Sequence, residues 1–330
     1  MQPRQSIGIL GTGSYLPKDE VGNAEIAERV GVTPEWIERK THIRTRRYAA
    51  PGEATSDLAV QAAGFALEHA ALDAERIDYL VVATSTGDHP QPPTAHIVQH
   101  ALGATRAACL DINVVCSGFV YGLALAHSLV ANKPGAHALV VAADTYSRIV
   151  DHRDRRTAVL FADGAGAAVV GPGADGGIIE FDLVGRGEAR HLIRVEAGGS
   201  RMPASPATVA DGSHHFRMEG REVREFVERE LPLALAGLAA RAGVELSEVD
   251  HFVPHQANGV MIDELVRASG LTAATTHRTL EKYGNVGSAS VAVTLDEANR
   301  AGRLAPGDLV LLSAFGGGMA IGSCLMRWAA

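Results

Sequence analysis

Two short segments of the chain set a polar, chemistry-bearing side chain at the end of an apolar run, a third sets one ahead of a small-residue helix, and a fourth offers bare backbone. Cys116 lies in residues 111–119 (DINVVCSGF), ahead of a stretch over 119–126 that is almost wholly apolar or small. That stretch reads as a buried helix, so Cys116 stands at a helix N-terminus. Free N–H groups and the helix dipole there favour a thiolate and lower the thiol pKa. The chemistry would be nucleophilic catalysis; the alternative is a buried structural cysteine. Cys109 and Cys324 lack this context. His255 opens a polar His-Gln-Ala-Asn run directly after an apolar strand. The carboxyl ends of buried strands line active crevices, although among 14 histidines a structural role is the competing reading. Asn285, in residues 282–290 (KYGNVGSAS), precedes another small-residue helix and could simply be its N-cap. Residues 314–322 (AFGGGMAIG) supply three consecutive glycines. These permit close backbone approach and either present N–H groups to a developing oxyanion or make a tight turn.

Two other features carry no chemistry. His214 and His215 are adjacent, so their side chains diverge on a strand, and no third ligand stands nearby; no metal site is expected. Gly8, Gly11 and Gly13 resemble part of a dinucleotide fingerprint, but Leu16 stands where the third glycine belongs and Pro17 follows.

Strands and helices must alternate to position these segments. Residues 77–83 (IDYLVVA), 139–143, 158–161 and 309–312 are near-continuous apolar runs, the pattern of strands buried on both faces. After a Thr55-Ser56 cap, Leu58, Ala62, Phe65 and Leu72 recur at helical spacing, and residues 221–242 form a second, more charged helix. The mixture predicts an α/β fold with helices covering sheets. A duplication is also visible. Cys116 follows Asp78 by 38 positions and Asn285 follows Asp250 by 35; the next strand then begins 23 positions after Cys116 and 24 after Asn285. The seam falls in the Gly/Pro-rich residues 171–177, giving halves 1–172 and 173–330.

Composition bounds the function. The 330 residues are 46% hydrophobic and 21% charged, with a net charge of −8. The length suits two domains or a duplicated one. The acidic balance argues against nucleic acid as a partner. There is no uncharged apolar run of about 18 residues, so no membrane span is expected. The N-terminal residues lack the apolar block of a signal peptide. Three scattered cysteines make no disulfide framework, so a cytoplasmic location is expected.

Taken together, the four segments resemble, in order and over essentially the whole chain, the ketoacyl-acyl carrier protein synthase III group of the thiolase superfamily. DINVVCSGF is similar to that group's nucleophile segment, PHQAN (residues 254–258) to its histidine segment, KYGNVGSAS to its asparagine segment and AFGGGMAIG to its glycine loop. Thiolases proper use a second cysteine and hydroxymethylglutaryl synthases a glutamate, so Asn285 favours the synthase III branch. The resemblance implies a thiolase-like five-layer αβαβα fold of two related halves, an obligate homodimer and no tightly bound cofactor. It implies a ping-pong reaction in which Cys116 takes an acyl group from a coenzyme A or acyl carrier protein thioester. Backbone N–H groups of Cys116 and Gly317 would hold the oxyanion. His255 and Asn285 would donate to a malonyl thioester carbonyl, and the enolate left by loss of CO₂ would attack the acyl-enzyme. Trp36 resembles the residue that stacks on the coenzyme A adenine, Arg155 the guanidinium on its other face and Arg39 a phosphate-binding arginine; Phe315 belongs with these substrate-binding positions.

The chain also departs from the pattern. Gln91 stands where a phenylalanine commonly crosses the dimer interface to close the partner's acyl pocket, and this more polar, less bulky floor suggests an acyl group other than acetyl. Val286-Gly287 replaces a common Thr-Ser. Gly259-Val260 and Glu225 replace basic residues used in carrier docking, although Arg217, Arg221, Arg224 and Arg267 could rebuild a patch. These changes suggest a pathway-specific starter enzyme, or an acyltransferase that moves its acyl group to a hydroxyl or amine of a small molecule. The retained Asn285 favours condensation, because transfer to an alcohol needs only His255 as base. A non-catalytic partner subunit would have lost the nucleophile.

Overall fold

The computed structural model describes residues 6–173 and 176–329. The N-terminal residues 1–5, read above for a signal peptide, and Ala174 and Asp175 of the expected seam lie outside the described residues.

Ten strands make two five-stranded sheets. The first holds β1 (Ile7–Tyr15), β2 (Tyr79–Ala83), β3 (Ala108–Ile112), β4 (Ala138–Thr145) and β5 (Asp163–Pro172) in the order β1-β5-β4-β2-β3. The second holds β6 (Gly177–Val184), β7 (His251–Pro254), β8 (Thr275–Thr276), β9 (Leu309–Gly316) and β10 (Ala320–Arg327) in the order β6-β10-β9-β7-β8. The permutation is the same. So are the directions: in each sheet the first two pairings are antiparallel and the last two parallel. The spacing match between the Cys116 and Asn285 regions is therefore a repeat of topology.

Helices fill the remaining layers. The first sheet is covered outside by α2 (Thr55–His69) and α3 (Thr94–Leu102), whose Leu58, Ala62, Ala95 and Val98 join its apolar core. Between the sheets lie α4 (Gly118–Ala131) and α7 (Ser290–Arg300); Phe119, Leu123, Val291 and Leu295 pack with residues of both sheets. The second sheet is covered by α5 (Gly220–Ala242) and α6 (Gly259–Ala268). The order α-β-α-β-α is the five-layer thiolase-like arrangement. Every residue of β4 and β9 is buried, as strands covered on both faces must be.

Three local expectations are corrected. Residues 158–161 are not a strand. They wind as successive turns, with Ala158 N–H donating to Asp154 O and Leu160 N–H to Thr157 O, and only Phe161 bridges to Asn285. Their apolar character serves burial beside a cavity rather than a sheet. The Thr55-Ser56 pair is the first turn of α2, not its cap. Ala54 precedes the helix, and the Asp57 carboxylate accepts its N–H at 2.8 Å. The helix ends at His69, short of Leu72, and Phe65 on it is 42% exposed.

Candidate active site

Cys116 occupies a short 3₁₀ turn, Val115–Ser117, that leads into α4. The turn is held in an unusual shape. Val115 has φ +47 and, across from it, Met319 has φ +49. A β-branched residue in the left-handed region is strained, and here the strain sits beside the nucleophile. Ser117 Oγ donates to Ala320 O at 2.9 Å, tying the turn to the glycine loop. Gly316 abuts the nucleophile directly, since an added Cβ would lie 2.6 Å from the Cys116 nitrogen. Gly317 packs beside Val115.

His255 follows β7 at its carboxyl end. Its N–H donates to Ser313 O of β9 at 2.7 Å, and its ring meets Phe315 edge-on at 5.4 Å. The side chain is buried and its Nδ1 has no partner among the described residues. Burial pushes its pKa down to about 3, so the ring is neutral at physiological pH. Asn285 is held by backbone on both sides: its N–H donates to Leu160 O at 2.9 Å and its carbonyl accepts from Ala162 N–H at 2.8 Å. Its Oδ1 accepts from Gly287 N–H at 3.0 Å. That leaves Nδ2, which donates to no protein group among the described residues. Asn285 is not the N-cap of α7; Ala289 holds that place.

Cys116, His255 and Asn285 all line one cavity of about 460 Å³, together with Trp36, Arg39, Arg155 and Phe315. Trp36 and Arg39 come from α1 (Pro34–Thr41), whose N-cap Thr33 accepts the Trp36 N–H at 3.2 Å. Arg155 comes from the turns that precede Phe161. The sequence reading missed Lys40 and Arg156, which add two cations to this wall, and Phe161, Phe216 and Met218, which make its apolar side. The charge next to Arg155 was a signal for Arg156; nothing in residues 193–218 singled out Phe216. Gly317 is near the nucleophile but outside the lining. Gln91 is exposed and away from the cavity.

One electrostatic expectation is reversed. The Cys116 thiol pKa is raised in the free protein, chiefly by burial and next by the Asp144 carboxylate; the Tyr146 hydroxyl and the turn's own N–H pull it down only in part. Desolvation of the anion outweighs the helix N-terminus.

A duplicated five-layer fold with a buried cysteine, a neutral histidine and a free asparagine amide on one cavity defines a thiolase-like enzyme. Comparison with known proteins narrows this. Residues 110–187 match the family model described as 3-oxoacyl-[acyl-carrier-protein] synthase III, and residues 239–328 match that of its C-terminal part. The acetoacetyl CoA synthase NphT7 of Streptomyces sp. (strain CL190) is 50% identical over 97% of this chain and 98% of its own length. A beta-ketoacyl-[acyl-carrier-protein] synthase III of Caldanaerobacter subterraneus is 45% identical over 97% of each chain. Among solved structures, the priming beta-ketosynthase of the R1128 polyketide pathway superposes with a TM-score of 0.92 at 34% identity, over all of this chain and 98% of that one. The chain belongs to the 3-oxoacyl-[acyl-carrier-protein] synthase III family. Among the described residues no group of three or more His, Cys, Asp or Glu is arranged to hold a metal ion, and no helix is long and apolar enough to cross a membrane.

Proposed function

We propose that this enzyme makes a 3-oxoacyl-coenzyme A by decarboxylative condensation, with coenzyme A thioesters as both acyl donor and malonyl donor. In the first half-reaction the Cys116 sulfur attacks the acyl carbonyl, and backbone N–H groups of Cys116 and the glycine loop, Gly317 among them, receive the oxyanion. The coenzyme A thiol leaves and the acyl group stays on Cys116. In the second, the malonyl thioester carbonyl accepts from His255 Nε2–H and Asn285 Nδ2–H. The C–CO₂ bond breaks and its electrons form the enolate. The enolate carbon attacks the acyl-enzyme, and the Cys116 sulfur is expelled and takes a proton. Two neutral donors favour the enolate over the ground-state carbonyl, because the charge exists only after CO₂ departs.

The observation that carries this reading is the Asn285 amide, which lines the cavity with its Oδ1 taken by Gly287 N–H and its Nδ2 donating to no protein group among the described residues. Acyl transfer to a hydroxyl or amine would not need that donor. Coenzyme A rather than a carrier protein is supported by charge pairing. On α5, Arg221 pairs with Glu225 at 2.9 Å, and Arg224 with Glu228 at 2.8 Å and Glu264 at 2.5 Å. Both are already paired, Arg224 although it also lines the cavity, whereas Arg39, Lys40, Arg155 and Arg156 on the same wall make no ion pair among the described residues. A small polyphosphate fits that wall; an acidic protein would need the α5 surface. An acetyl donor, as the product named for the Streptomyces relative implies, would give acetoacetyl-coenzyme A. The two halves are proposed to divide at 172/173, and all three cysteines are free thiols, which fits a reducing cytoplasm.

A homodimer is part of the proposal. Among the described residues the β3 strand pairs only with β2, which leaves its outer edge open. The loop carrying Gln91 is pinned there: Thr94 and Ala95 N–H donate to the Asp111 carboxylate of β3 at 2.7 and 2.8 Å. A second copy pairing on this edge would meet Gln91, which supports its role toward a partner's acyl pocket.

The test is intact mass after acetyl-coenzyme A, then CO₂ release on malonyl-coenzyme A. An acetyl adduct absent from Cys116→Ala, followed by CO₂, is expected. An adduct without CO₂, with ester or amide formed on an added acceptor, overturns condensation.

A further inference from the structure

β7 and β8 pair in parallel, and their ladder stops for a chemical reason. Thr275 N–H donates to Asp250 O at 2.8 Å and His277 N–H to Phe252 O at 2.9 Å. The next bonds in this series would run from Pro254 N–H to His277 O and from Thr279 N–H to Pro254 O. Proline has no N–H. The Gln256 side chain fills the gap. Its Nε2 donates to Pro254 O at 2.7 Å and to His277 O at 3.4 Å. Its Oε1 accepts from Thr279 N–H at 3.0 Å and from Leu280 N–H at 3.2 Å. Backbone carbonyls only accept and backbone N–H groups only donate, so the amide has one orientation. Gln256 is 0% exposed and is not among the residues that line the cavity.

We propose that Gln256 is a positioning residue for the condensation, its amide replacing the ladder bonds that Pro254 cannot make and so holding His255 and Asn285 in one frame. His255 lies between Pro254 and Gln256, which this amide ties together, and its own N–H is spent on Ser313 O. On the other side, Oε1 holds the N–H groups at the start of a one-turn helix, Leu280–Tyr283. That helix closes on Gly284, at φ +69, whose N–H donates to Leu280 O at 2.9 Å; Asn285 is the next residue. Thr279 Oγ1 lies 2.7 Å from Thr294 Oγ1, which anchors the same segment on α7. One buried amide therefore fixes two neutral donors that are far apart in sequence. An apolar side chain of similar size would leave the carbonyls and N–H groups it joins without these partners, and the two segments would be free to slide. The Cys116 turn is held elsewhere, by Ser117 Oγ on Ala320 O of the glycine loop, so acylation does not depend on this amide.

Gln256 has this role only if His255 and Asn285 are the enolate donors proposed above. The two half-reactions are compared in the same variants, with folding checked by thermal melting. Rapid-quench intact mass follows acylation of Cys116 by acetyl-coenzyme A, and CO₂ release from malonyl-coenzyme A by the acylated enzyme follows the second step. Gln256→Met keeps the bulk and removes the amide. It is expected to slow CO₂ release by about 10²-fold, the cost of misplacing a catalytic group by about 1 Å. The loss should fall on kcat rather than KM, because the donors act in the transition state. Acylation is expected to stay within about threefold of wild type. Equal losses in both half-reactions would mean general loosening and overturn the proposal, as would CO₂ release at the wild-type rate. Gln256→Glu adds a pH readout. A neutral carboxyl group has one donor and one acceptor and copies the amide; a carboxylate has no donor and faces two carbonyl oxygens. Burial favours the neutral form. Of the titratable groups on the joined segments, His255 and His277 are kept neutral by burial and Arg278 pairs with Asp263. Measured against wild type at the same pH, CO₂ release by Gln256→Glu is expected to be within about fivefold at pH 6 and to fall toward the Gln256→Met rate as the carboxyl ionises. Gln256→Glu as slow as Gln256→Met at pH 6 overturns the proposal. Should Gln256→Met fail to fold, the Gln256→Glu series decides alone. A wild type that is acylated yet releases no CO₂ sinks the proposed function, and this role for Gln256 with it. Wild-type CO₂ release beside an unaffected Gln256→Met sinks only the role of Gln256.

Discussion

Gly316 stands against Cys116 so closely that an added Cβ would lie 2.6 Å from the Cys116 backbone nitrogen. The N–H on that nitrogen is the oxyanion donor proposed above, so the glycine loop is shaped by the nucleophile's backbone. The expected effect of Gly316→Ala is a loss of Cys116 acylation by about 10²–10³, the size of one oxyanion donor. Rapid-quench intact mass with acetyl-coenzyme A measures it. The effect must fall on acylation rate. A variant that acylates normally would show that the loop is a turn and nothing more.

His255 gives a pH prediction with a definite sign. Its folded pKa of about 3 lies below an unfolded value of about 6.5, and the buried His277 is likewise depressed to about 4. Below pH 6.5 the unfolded chain binds protons that the folded chain refuses. Stability is therefore fully present above about pH 6.5 and is lost as pH falls toward 4 and then 3. Urea midpoints at pH 7.5, 6 and 5 are expected to decline in that order. In the same window decarboxylation of malonyl-coenzyme A by acylated enzyme should show no limb attributable to His255, which stays neutral throughout. A rate that titrates near 6.5 would place His255 in a solvated state the structure does not show.

Most of the site was legible because each group sits at a change of local pattern. His255 follows the buried strand β7, Cys116 follows an apolar run beyond the edge strand β3, and Asn285 precedes a small-residue helix; parallel strands deliver their carboxyl ends to a common crevice. The repeat of strand order was legible only as spacing, since pairing partners lie far apart in sequence. Residues 158–161 misled for a physical reason: four apolar residues covering a cavity look the same as four inside a sheet. The raised Cys116 pKa was illegible. It depends on Asp144, distant in sequence, and on burial that no local pattern records. The close approach of the Tyr146 ring to Gly287, where an added Cβ would lie 2.3 Å from a ring carbon, was likewise hidden; the missing side chain at 287 was visible, but not what fills its place.

The open edge of β3 predicts an assembly. Ala108 N–H is spent on Asp78 O at 2.9 Å, and strand alternation turns the Cys109 N–H outward. An unpaired outward edge invites a second chain. Light scattering at micromolar concentration is expected to give a dimer mass. Cys109→Pro removes an outward donor while sparing the bond to β2, a substitution that only an edge strand tolerates. It should weaken the dimer by about tenfold or more, one lost hydrogen bond per symmetric contact plus the steric cost of the ring. A wild-type monomer, or a dimer indifferent to Cys109→Pro, would remove β3 from the interface.

Arg155 on the cavity wall and Arg221 on α5 are the same kind of residue in different states, and that difference can be measured. Arg155 and Trp36 face the cavity, where an adenine between them would gain stacking on both sides. Arg221 is on α5 and held by Glu225. Removing a side chain that contacts ligand equally in the ground and transition states raises KM and leaves kcat alone. Arg155→Ala and Trp36→Ala should therefore each raise KM for acetyl-coenzyme A by about 3- to 30-fold, with kcat within about twofold. Arg221→Ala should change neither by more than about twofold, since an exposed ion pair contributes little. Running the same three variants with a malonyl carrier protein in place of malonyl-coenzyme A decides the donor. If Arg221→Ala selectively impairs the carrier-protein reaction, and that reaction is the faster one in the wild type, the α5 arginines are a docking patch after all and the coenzyme A assignment for the malonyl donor falls.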